Sequence, residues 1–359
     1  YQILQGYHTR PVDAAHGLWD LSRQVKASPA LTQIFDEHPP RDLKRALEQT
    51  DEGRAFLADL DAYLYDFGWR SDAVYDLADV PWIEDPTIPL GNIARYVPMG
   101  DEDDPMIGFD KAVKRREELT ARIRERLADD PAKLARFETL FDAAKYAYPL
   151  TEDHAFYIDQ MGVVLFRRFV RAVGERLAGR GCFDAGDDIF FLHDREVRDA
   201  MANDTDYRSL IAERKVEHEA SAQADPPDIL GTPPPPPGPD DFVDPFMDAV
   251  TSRLLGIKAP PEGEQDPNMV DGVAGSPGVY TGVARVVKSL EEAGDLEDGE
   301  VMVCEMTLPP WVPMFAIAGA VVSDVGGVMS HCAIVAREFD IPAVVGSVDG
   351  TKRIQTGQV

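Results

Sequence analysis

Apolar residues recur at helical spacing along residues 1–224. Within 12–26, for example, Leu18, Leu21 and Val25 are three or four positions apart. Residues at this spacing lie on one face of an α-helix. The pattern predicts helices over residues 12–26, 51–67, 106–127, 131–148, 151–177 and 210–222. Two continuous apolar runs stand out: 161–166 predicts a deeply buried centre of its helix, and Ile189–Leu192 predicts a short buried strand.

Two proline-rich stretches then interrupt the helical pattern. Thr232 precedes the five consecutive prolines Pro233–Pro237, and residues 260–267 form a second polar stretch. Proline has no backbone N–H to donate, so such a run excludes a helix or a central strand. We therefore predict an extended spacer or exposed loop, followed by one more helix over 244–258. A role of the proline tract in docking a partner is the alternative.

From residue 270 onward, short apolar runs alternate with helical segments. Strands are predicted over 282–287, 301–305, 320–323 and 343–345, and helices over 312–318 and 331–339. This alternation is typical of a compact α/β domain. The chain therefore predicts a multidomain protein: a mostly α-helical domain at 1–224, a proline-rich loop, helix and hinge linker at 225–269, and a small α/β domain at 270–359.

Composition and charge narrow the partners and the compartment. The 359 residues carry 36 basic and 64 acidic side chains, a net charge of −28, which argues against nucleic acid and anionic membranes as partners. No apolar run is long enough to cross a membrane, and Cys182, Cys304 and Cys332 show no metal-ligand spacing. The cytoplasm is the simplest compartment. The chain starts at Tyr1 and stops in a predicted strand, so we expect the natural protein to be longer.

One histidine stands at the start of a predicted helix, behind a glycine pair and a serine. Gly326 and Gly327 precede Ser330 and His331. Glycine lets the backbone approach a ligand closely, and serine is a good helix N-cap. Unpaired N–H groups and a partial positive charge at a helix N-terminus favour a phosphate dianion. His331 is therefore a candidate phosphoryl carrier; an ordinary capping or buried histidine is the alternative.

Several segments around His331 share one resemblance. Gly275–Gly278, Thr307–Met314, Ala320–Asp324 and 326–346 together resemble the swivelling phosphohistidine domain of the phosphoenolpyruvate-utilising (PEP-utilising), dikinase-type phosphotransferases. The resemblance covers about residues 270–359. It implies that His331 is phosphorylated during turnover and that its domain rotates between two pockets.

The same resemblance implies ATP with Mg²⁺ as the phosphoryl source. The chain has no glycine-rich nucleotide loop with a lysine, so ATP and its metal are expected on an ATP-grasp module, upstream or on a separate subunit. No metal ligand set is predicted in this chain. A helical acceptor-binding domain in front of a histidine domain is the order found in the rifampin-phosphorylating members of the family.

The helical region resembles the phenylphosphate synthases and alkylphenol phosphate synthases. The segments that carry this likeness are Gln5–Tyr7, 14–22, Asp66–Arg70, Pro81–Pro86 and Leu150–Gln160. The resemblance implies transfer to the hydroxyl of phenol or an alkylphenol such as p-cresol, with AMP and phosphate as co-products. The alternatives are a rifampin-type antibiotic phosphotransferase, a PEP-synthase-like dikinase component and a non-catalytic phosphocarrier or scaffold.

A hydroxyl acceptor benefits from a general base near neutrality, and histidine is the usual one. His154 is the first candidate, with Asp153 to orient it; a cluster of first-turn helix residues is the alternative. His8, close to Arg10 in sequence, is the second candidate.

Two arginines and several aromatic residues complete the predicted site. A guanidinium suits phosphate geometry, so Arg70 and Arg337 are candidates for neutralising phosphate; a salt bridge with Glu338 is the alternative for Arg337. An aromatic acceptor needs an apolar pocket, and Tyr7, Trp69 and Tyr157 are candidates to line it, although aromatic residues on helices also serve as plain core.

Overall fold

A computed structural model of the protein describes residues 2–71, 76–222, 231, 268–289, 292–308 and 311–359. Contacts divide them into two units. The first holds the described residues of Tyr1–Asp72, Pro81–Ile158 and Asp244–Val359, and the second those of Ala73–Val80 and Asp159–Val243. The predicted linker at 225–269, with its proline tract and its helix, lies almost wholly outside the described residues. The predicted domain boundaries therefore stay a prediction.

The first unit begins with a set of helices. They are α1 (Arg10–Ala27), α2 (Pro29–Glu37), α3 (Pro40–Leu47), α4 (Asp51–Phe67), α5 (Thr87–Tyr96), α6 (Pro105–Leu127), α7 (Pro131–Ala147) and α8 (Leu150–His154). Proline stands in the first turn of α1, α2, α3, α6 and α7, where its fixed φ and missing N–H are suited. Thr50 caps α4 by accepting a hydrogen bond from the Gly53 N–H at 2.9 Å. The four predicted helices between residues 12 and 148 are confirmed.

The helix predicted over 151–177 is confirmed, with a π-helical stretch, Ala155–Gln160, between α8 and α9 (Met161–Gly179). The predicted deep burial of its apolar centre is wrong, because Leu165 and Phe166 are 49% and 55% exposed. A continuous apolar run does not show which side of a helix faces solvent, and periodicity alone cannot resolve it.

The predicted strand Ile189–Leu192 is wrong as well. Gly186–Phe191 forms a 3-10 helix. Asp188 Oδ2 accepts hydrogen bonds from the N–H groups of Asp184 and Ala185, which closes a turn here. The second unit continues with α10 (Asp194–Asn203) and α11 (Arg208–Ala222), which confirms the helix predicted over 210–222. Among the described residues, no helix is long and apolar enough to cross a bilayer.

The C-terminal part of the first unit is a small α/β layer. Its strands are β1 (Val273–Ser276), β2 (Ala284–Val287), β3 (Val301–Cys304), β4 (Ala320–Ser323) and β5 (Ala343–Val345). Its helices are α12 (Val312–Phe315), α13 (His331–Glu338) and α14 (Gly350–Arg353). The sheet order is β1-β5-β4-β3-β2, with β1 antiparallel to β5 and the other pairs parallel. The predicted fold class, helices followed by a small α/β domain, is confirmed.

Parallel pairing brings two loops to one edge of this sheet. Cys304, the last residue of β3, pairs with Ser323, the last residue of β4. The chain then leaves both strands on the same side, and the Asp324 N–H donates to the Cys304 carbonyl at 3.0 Å. Residues that follow β3 and β4 are therefore brought side by side, although they are distant in sequence.

One hydrophobic core joins the α/β layer to the helices of the first unit. Leu18 of α1 and Ile93 of α5 belong to the same buried cluster as Phe315 of α12. Polar contacts reinforce the junction: the Tyr96 hydroxyl donates to the Pro313 carbonyl at 3.0 Å, and Arg95 Nη1 donates to the Ala293 carbonyl at 2.9 Å. The α/β layer is thus docked on the helices in this structure.

Candidate functional site

His331 is the first residue of α13, at the sheet edge where the loops after β3 and β4 meet. Its Nδ1 lies 3.1 Å from Thr307 Oγ1, and its ring lies edge-on to the Phe315 ring, with centroids 6.4 Å apart. Ser330 is the N-cap, and its Oγ accepts from the Ala333 N–H at 3.4 Å. The predicted position of His331, behind a serine cap at a helix start, is confirmed.

The surroundings of His331 keep its imidazole neutral. Burial, helped by the nearby positive charge of Arg70, lowers the pKa of His331 to about 3, against an opposing hydrogen bond with the Thr307 backbone. Nε2 is buried and has no hydrogen-bond partner among the described residues. When Nδ1 carries the proton towards Thr307, the lone pair of Nε2 is free, as a nucleophile requires.

A glycine and an aspartate shape the loop between β4 and α13. Gly326 has φ of +121°, and a Cβ at this position would lie 2.7 Å from Ser330 Oγ. Asp324 accepts hydrogen bonds from Ser347 Oγ at 2.8 Å and from the Thr351 N–H at 3.2 Å. The hydrogen bonds of Asp324 therefore anchor the start of the loop. The positive φ at position 326 is one that glycine adopts without strain.

Arg70 comes from the helical part of the unit and lies close enough to lower the pKa of His331. Its Nε donates to the Phe67 carbonyl at 2.8 Å, and its guanidinium lies over the rings of Trp82 and Phe156, at 5.3 and 4.9 Å from their centroids. The side chain is only 1% exposed, and burial lowers its pKa to about 10. The structure thus brings a predicted phosphate-binding arginine near the predicted carrier.

Arg10, the first residue of α1, was not predicted as a site residue. Its guanidinium lies 4.4 Å from the Phe67 ring centroid and 4.9 Å from that of Phe156, and its charge contributes to lowering the pKa of Arg70. The feature of the sequence that could have indicated Arg10 as a site residue was its closeness to the candidate base His8. Its position near Arg70 follows from the packing of α1 and is not visible in the sequence.

The two predicted general bases are exposed. His154 Nδ1 lies 2.9 Å from the Leu150 carbonyl, while Asp153 Oδ1 accepts from the Arg10 N–H at 2.7 Å. His8 Nδ1 lies 2.7 Å from Asp13 Oδ1. None of these contacts involves His331, so the roles of His154, Asp153 and His8 stay predictions.

Arg337 holds the backbone around the histidine loop. Its Nη1 donates to the Gly275 carbonyl and its Nη2 to the Val328 carbonyl, each at 2.7 Å. The side chain is buried on α13, and neither of these bonds goes to Glu338. The observed contacts assign Arg337 a positioning role for the loop, and the predicted contact with phosphate stays a prediction.

The predicted aromatic pocket is divided among three environments. Tyr7 lies under the Arg116 guanidinium, 4.2 Å from its ring centroid. Trp69 is buried, and its Nε1 donates to the Tyr65 carbonyl at 2.6 Å. Tyr157 is exposed, with the Arg10 guanidinium 5.5 Å from its ring. Of the three, Tyr157 is the one in contact with the arginine pair.

Two carboxyl groups are buried where the helices meet the α/β layer. Glu338 Oε2 accepts from the Gly6 N–H at 2.8 Å. Burial raises the pKa of Glu338 to about 7, with a repulsive contribution from Glu152, and burial likewise raises the pKa of Glu152 to about 7. Glu338 lies in the segment 326–346 and Glu152 in the segment Leu150–Gln160. Their burial depends on tertiary packing, so the sequence alone does not show it.

A metal site is not part of this arrangement. Within the part of the chain that the structure describes, no three His, Cys, Asp or Glu side chains are placed to hold a metal ion.

The two halves of the first unit match two known families. Residues 2–152 match the rifampicin phosphotransferase fourth domain, and residues 296–359 match the PEP-utilising enzyme mobile domain. The second match contains His331 and Thr307, and the first contains Arg10 and Arg70.

Whole proteins with similar sequences include three phosphotransferases or transferases. The uncharacterized phosphotransferase YvkC of Bacillus subtilis (strain 168) is 32% identical over 100% of this chain and 42% of its own length. The prodigiosin synthesizing transferase PigC of Serratia marcescens is 28% identical over 97% of this chain and 37% of its own. The rifampicin phosphotransferase of Streptomyces sviceus is 27% identical over 95% and 37%. This chain spans less than half the length of each relative.

Proposed function

We propose that this chain, which belongs to the PEP-utilising, dikinase-type phosphotransferase family, carries a phosphoryl group on His331 and transfers it to the hydroxyl of an acceptor with an aromatic body. The observation that carries this proposal is the neutral imidazole of His331, on which the charge of the buried Arg70 acts. Its Nε2 is buried and has no hydrogen-bond partner among the described residues. A neutral nitrogen is needed to accept phosphate, and a cation is needed to stabilise the transferred group.

In the transfer to the acceptor, the hydroxyl oxygen attacks phosphorus and the phosphorus–Nε2 bond breaks. The bonding electron pair returns to Nε2, and the proton of the hydroxyl leaves to a base or to solvent. Thr307 and Phe315 fix the imidazole during this step, since Thr307 contacts its Nδ1 and the Phe315 ring lies edge-on to it. The positive charge of Arg70 offsets the negative charge of the phosphoryl group while it is transferred.

An aromatic acceptor is supported by the rings that lie near Arg10 and Arg70. These are the rings of Phe67, Trp82 and Phe156, and aromatic side chains favour an aromatic ligand. Phenol or an alkylphenol is one candidate. The match of residues 2–152 to the rifampicin phosphotransferase fourth domain supports a rifampicin-type acceptor equally well.

The source of the phosphoryl group is proposed to be ATP with Mg²⁺ on an ATP-grasp module outside this chain, with AMP and phosphate as co-products. No residue of this chain is assigned to the metal, since the described residues contain no cluster of three His, Cys, Asp or Glu side chains that could hold one. We also propose a reducing, cytoplasmic location, which is supported by the three free cysteines Cys182, Cys304 and Cys332.

The test uses the chain with the ATP-binding module of its own polypeptide or subunit partner. Incubation with ATP is expected to yield a phosphorylated peptide containing His331, detected by mass spectrometry under alkaline conditions that preserve phosphohistidine. Addition of phenol, p-cresol or rifampicin then identifies the acceptor by its phosphorylated product and by AMP release.

The variant His331→Gln is expected to lose both the phosphopeptide and the product. The matched control is His218→Gln, because His218 is an exposed histidine of α11. Product formation by His331→Gln at the wild-type rate, or turnover without a phosphorylated His331, would overturn the proposal. Phosphorylated His331 without any phosphorylated acceptor would instead favour the phosphocarrier alternative.

A further inference from the structure

Two arginines of the helical part share one aromatic ring. The guanidinium carbons of Arg10 and Arg70 each lie 4.9 Å from the centroid of the Phe156 ring. Two positive charges thus lie against one ring, and each opposes the burial that raises the pKa of Tyr63. The charge of Arg10 also helps to lower the pKa of Arg70. The two like charges therefore repel each other, and an anion bound between them would offset that repulsion.

Neither arginine has its donors satisfied. Arg70 is 1% exposed, and its Nη2 is buried without a hydrogen-bond partner among the described residues. Arg10 Nε is also buried without a partner, although Arg10 Nη2 donates to the Asp66 carbonyl. Within the described part of the chain, neither guanidinium forms an ion pair with a carboxylate. A buried cation such as Arg70 is unfavourable without a counter-ion, and an external anion would remove that cost.

His331 limits which anion fits. The charge of Arg70 reaches the imidazole, whose Nε2 is itself buried and unpartnered. Three unsatisfied nitrogen atoms, on Arg10, Arg70 and His331, thus come from three separate segments of one unit. A phosphoryl group offers several acceptor oxygens and two negative charges, and guanidinium groups bind it in charge-assisted hydrogen bonds.

We propose that Arg10 and Arg70 form a binding site for a phosphoryl dianion, which holds this group on His331 before transfer and on the phosphate monoester product after transfer. The inference rests on the proposed function, since it places the transferred group in the docked arrangement. It adds that the docked arrangement is stabilised by phosphorylation: with a neutral imidazole and no phosphoryl group, the buried Arg70 and the partly buried Arg10 remain without a counter-charge.

The test separates anion binding from phosphotransfer by using His331→Gln as the background chain. This chain cannot form phosphohistidine, yet it retains both arginines. Inorganic phosphate and phenyl phosphate are the probes, titrated at pH 8 in a calorimeter, with chloride at matched ionic strength as the control anion. Both probes are expected to bind and to raise the melting temperature, whereas chloride is expected to do neither.

Substitutions in the same background locate the anion. Arg70→Met and Arg10→Met are each expected to weaken phosphate binding about tenfold or more, the loss expected for a hydrogen bond to a charged group. Arg70→Lys keeps the charge and is expected to retain part of the affinity. Arg198→Met is the matched control, because Arg198 is an exposed arginine paired with Asp194, and it is expected to bind phosphate normally.

Circular dichroism checks that each variant is folded. If Arg70→Met does not fold, Arg10→Met decides the outcome, because Arg10 is only partly buried. The proposal is overturned if neither phosphate nor phenyl phosphate binds, or if binding is unchanged in Arg10→Met and in any folded Arg70→Met. Tighter binding of phenyl phosphate than of inorganic phosphate indicates that the site also holds the ester product; equal binding indicates that it holds the phosphoryl group alone.

A failure of the proposed function leaves a different signature. If His331 is never phosphorylated while phosphate still binds through Arg10 and Arg70, the anion site stands and the carrier role is lost. If His331 is phosphorylated but the arginine variants transfer and bind normally, the carrier role stands and the anion site is lost.

Discussion

Thr307 Oγ1 lies 3.1 Å from His331 Nδ1, and this contact joins the loop after β3 to the start of α13. It exists because β3 and β4 pair in parallel and end at one edge of the sheet. A partner on Nδ1 fixes the orientation of the ring, and when Thr307 Oγ1 accepts the Nδ1 proton, Nε2 is left as the nucleophile. Thr307 is therefore a positioning residue for the carrier.

Replacement of Thr307 by valine tests this role. Valine keeps the shape of threonine but removes the hydroxyl, so the ring loses a hydrogen bond that fixes it. Phosphorylation of His331 is expected to slow by about tenfold, the scale of one lost hydrogen bond, while substrate affinity changes little. Rapid-quench measurement of phosphohistidine gives the rate, and Thr307→Ser, which restores the hydroxyl, is expected to recover most of it. An unchanged rate in Thr307→Val would contradict the role.

The neutral state of His331 makes stability depend on pH in the acid range. The pKa is about 3 in the folded chain against an ordinary 6.5, so the unfolded state binds the proton more readily. The contribution is fully present above pH 6.5 and is lost as pH falls from 6.5 towards 3. The slope is at most about 1.4 kcal/mol per pH unit.

Urea unfolding between pH 6.5 and pH 4.5 measures this contribution. Wild type is expected to lose more unfolding free energy over this range than His331→Gln, which cannot take up the proton. The control His218→Gln is expected to follow wild type. Equal pH dependence in wild type and His331→Gln would show that His331 titrates normally in the folded chain.

The sequence predicted what depends on local pattern. His331, Ser330 and the strand before them stand in one contiguous segment, and cap chemistry with apolar spacing is enough to place the histidine at a helix start. Four helices between residues 12 and 148 were predicted for the same reason, whereas α2, α3 and α5 were not predicted. Thr307 lies in a segment whose likeness to the family was visible, although its contact with the imidazole was not.

What the sequence could not predict depends on tertiary packing. Arg10 begins α1 and Arg70 follows α4, and nothing in either local pattern shows that both lie against Phe156. His154 and His8 have the right chemistry for a base, yet both lie on the exposed surface. Leu165 and Phe166 belong to an apolar run that would be expected in a core, and both are exposed. Burial is a property of the assembled fold, which overrides local preference.

The buried carboxyl groups of Glu338 and Glu152 make stability depend on pH in the direction opposite to that of His331. Burial raises the pKa values of Glu338 and Glu152 to about 7 from an ordinary 4.5, with Arg337 and Tyr148 also close by. The folded state binds these protons more readily, so the contribution is present below pH 4.5 and is lost as pH rises through 7. The pair titrates as a coupled unit.

Glu338→Gln tests whether titration of this carboxyl group makes the stability of the folded chain depend on pH. The amide oxygen can still accept the hydrogen bond from the Gly6 N–H, while the charge is gone. Between pH 6.5 and pH 8, above the range in which His331 acts, wild type is expected to lose stability and Glu338→Gln to lose less. Thermal unfolding measures the difference, and Glu125→Gln, at an exposed position of α6, is expected to behave as wild type. A Glu338→Gln curve parallel to that of wild type would rule out titration of Glu338 in this range.

Gly326→Ala tests the geometry that presents the histidine. With φ of +121° and Ser330 Oγ 2.7 Å from the added Cβ, alanine is strained and displaces the N-cap of α13. The strain is expected to cost about 1–3 kcal/mol of unfolding free energy, and phosphorylation of His331 is expected to fall further than stability alone explains, because the imidazole follows directly after the cap. Gly162→Ala is the matched control: an added Cβ there meets no atom within 4 Å, and alanine in a helix is expected to add about 0.5–1 kcal/mol. Chemical denaturation and the rate of phosphohistidine formation separate the two effects. A Gly326→Ala chain that loses stability yet phosphorylates at the wild-type rate would show that the glycine serves the fold and does not position the carrier.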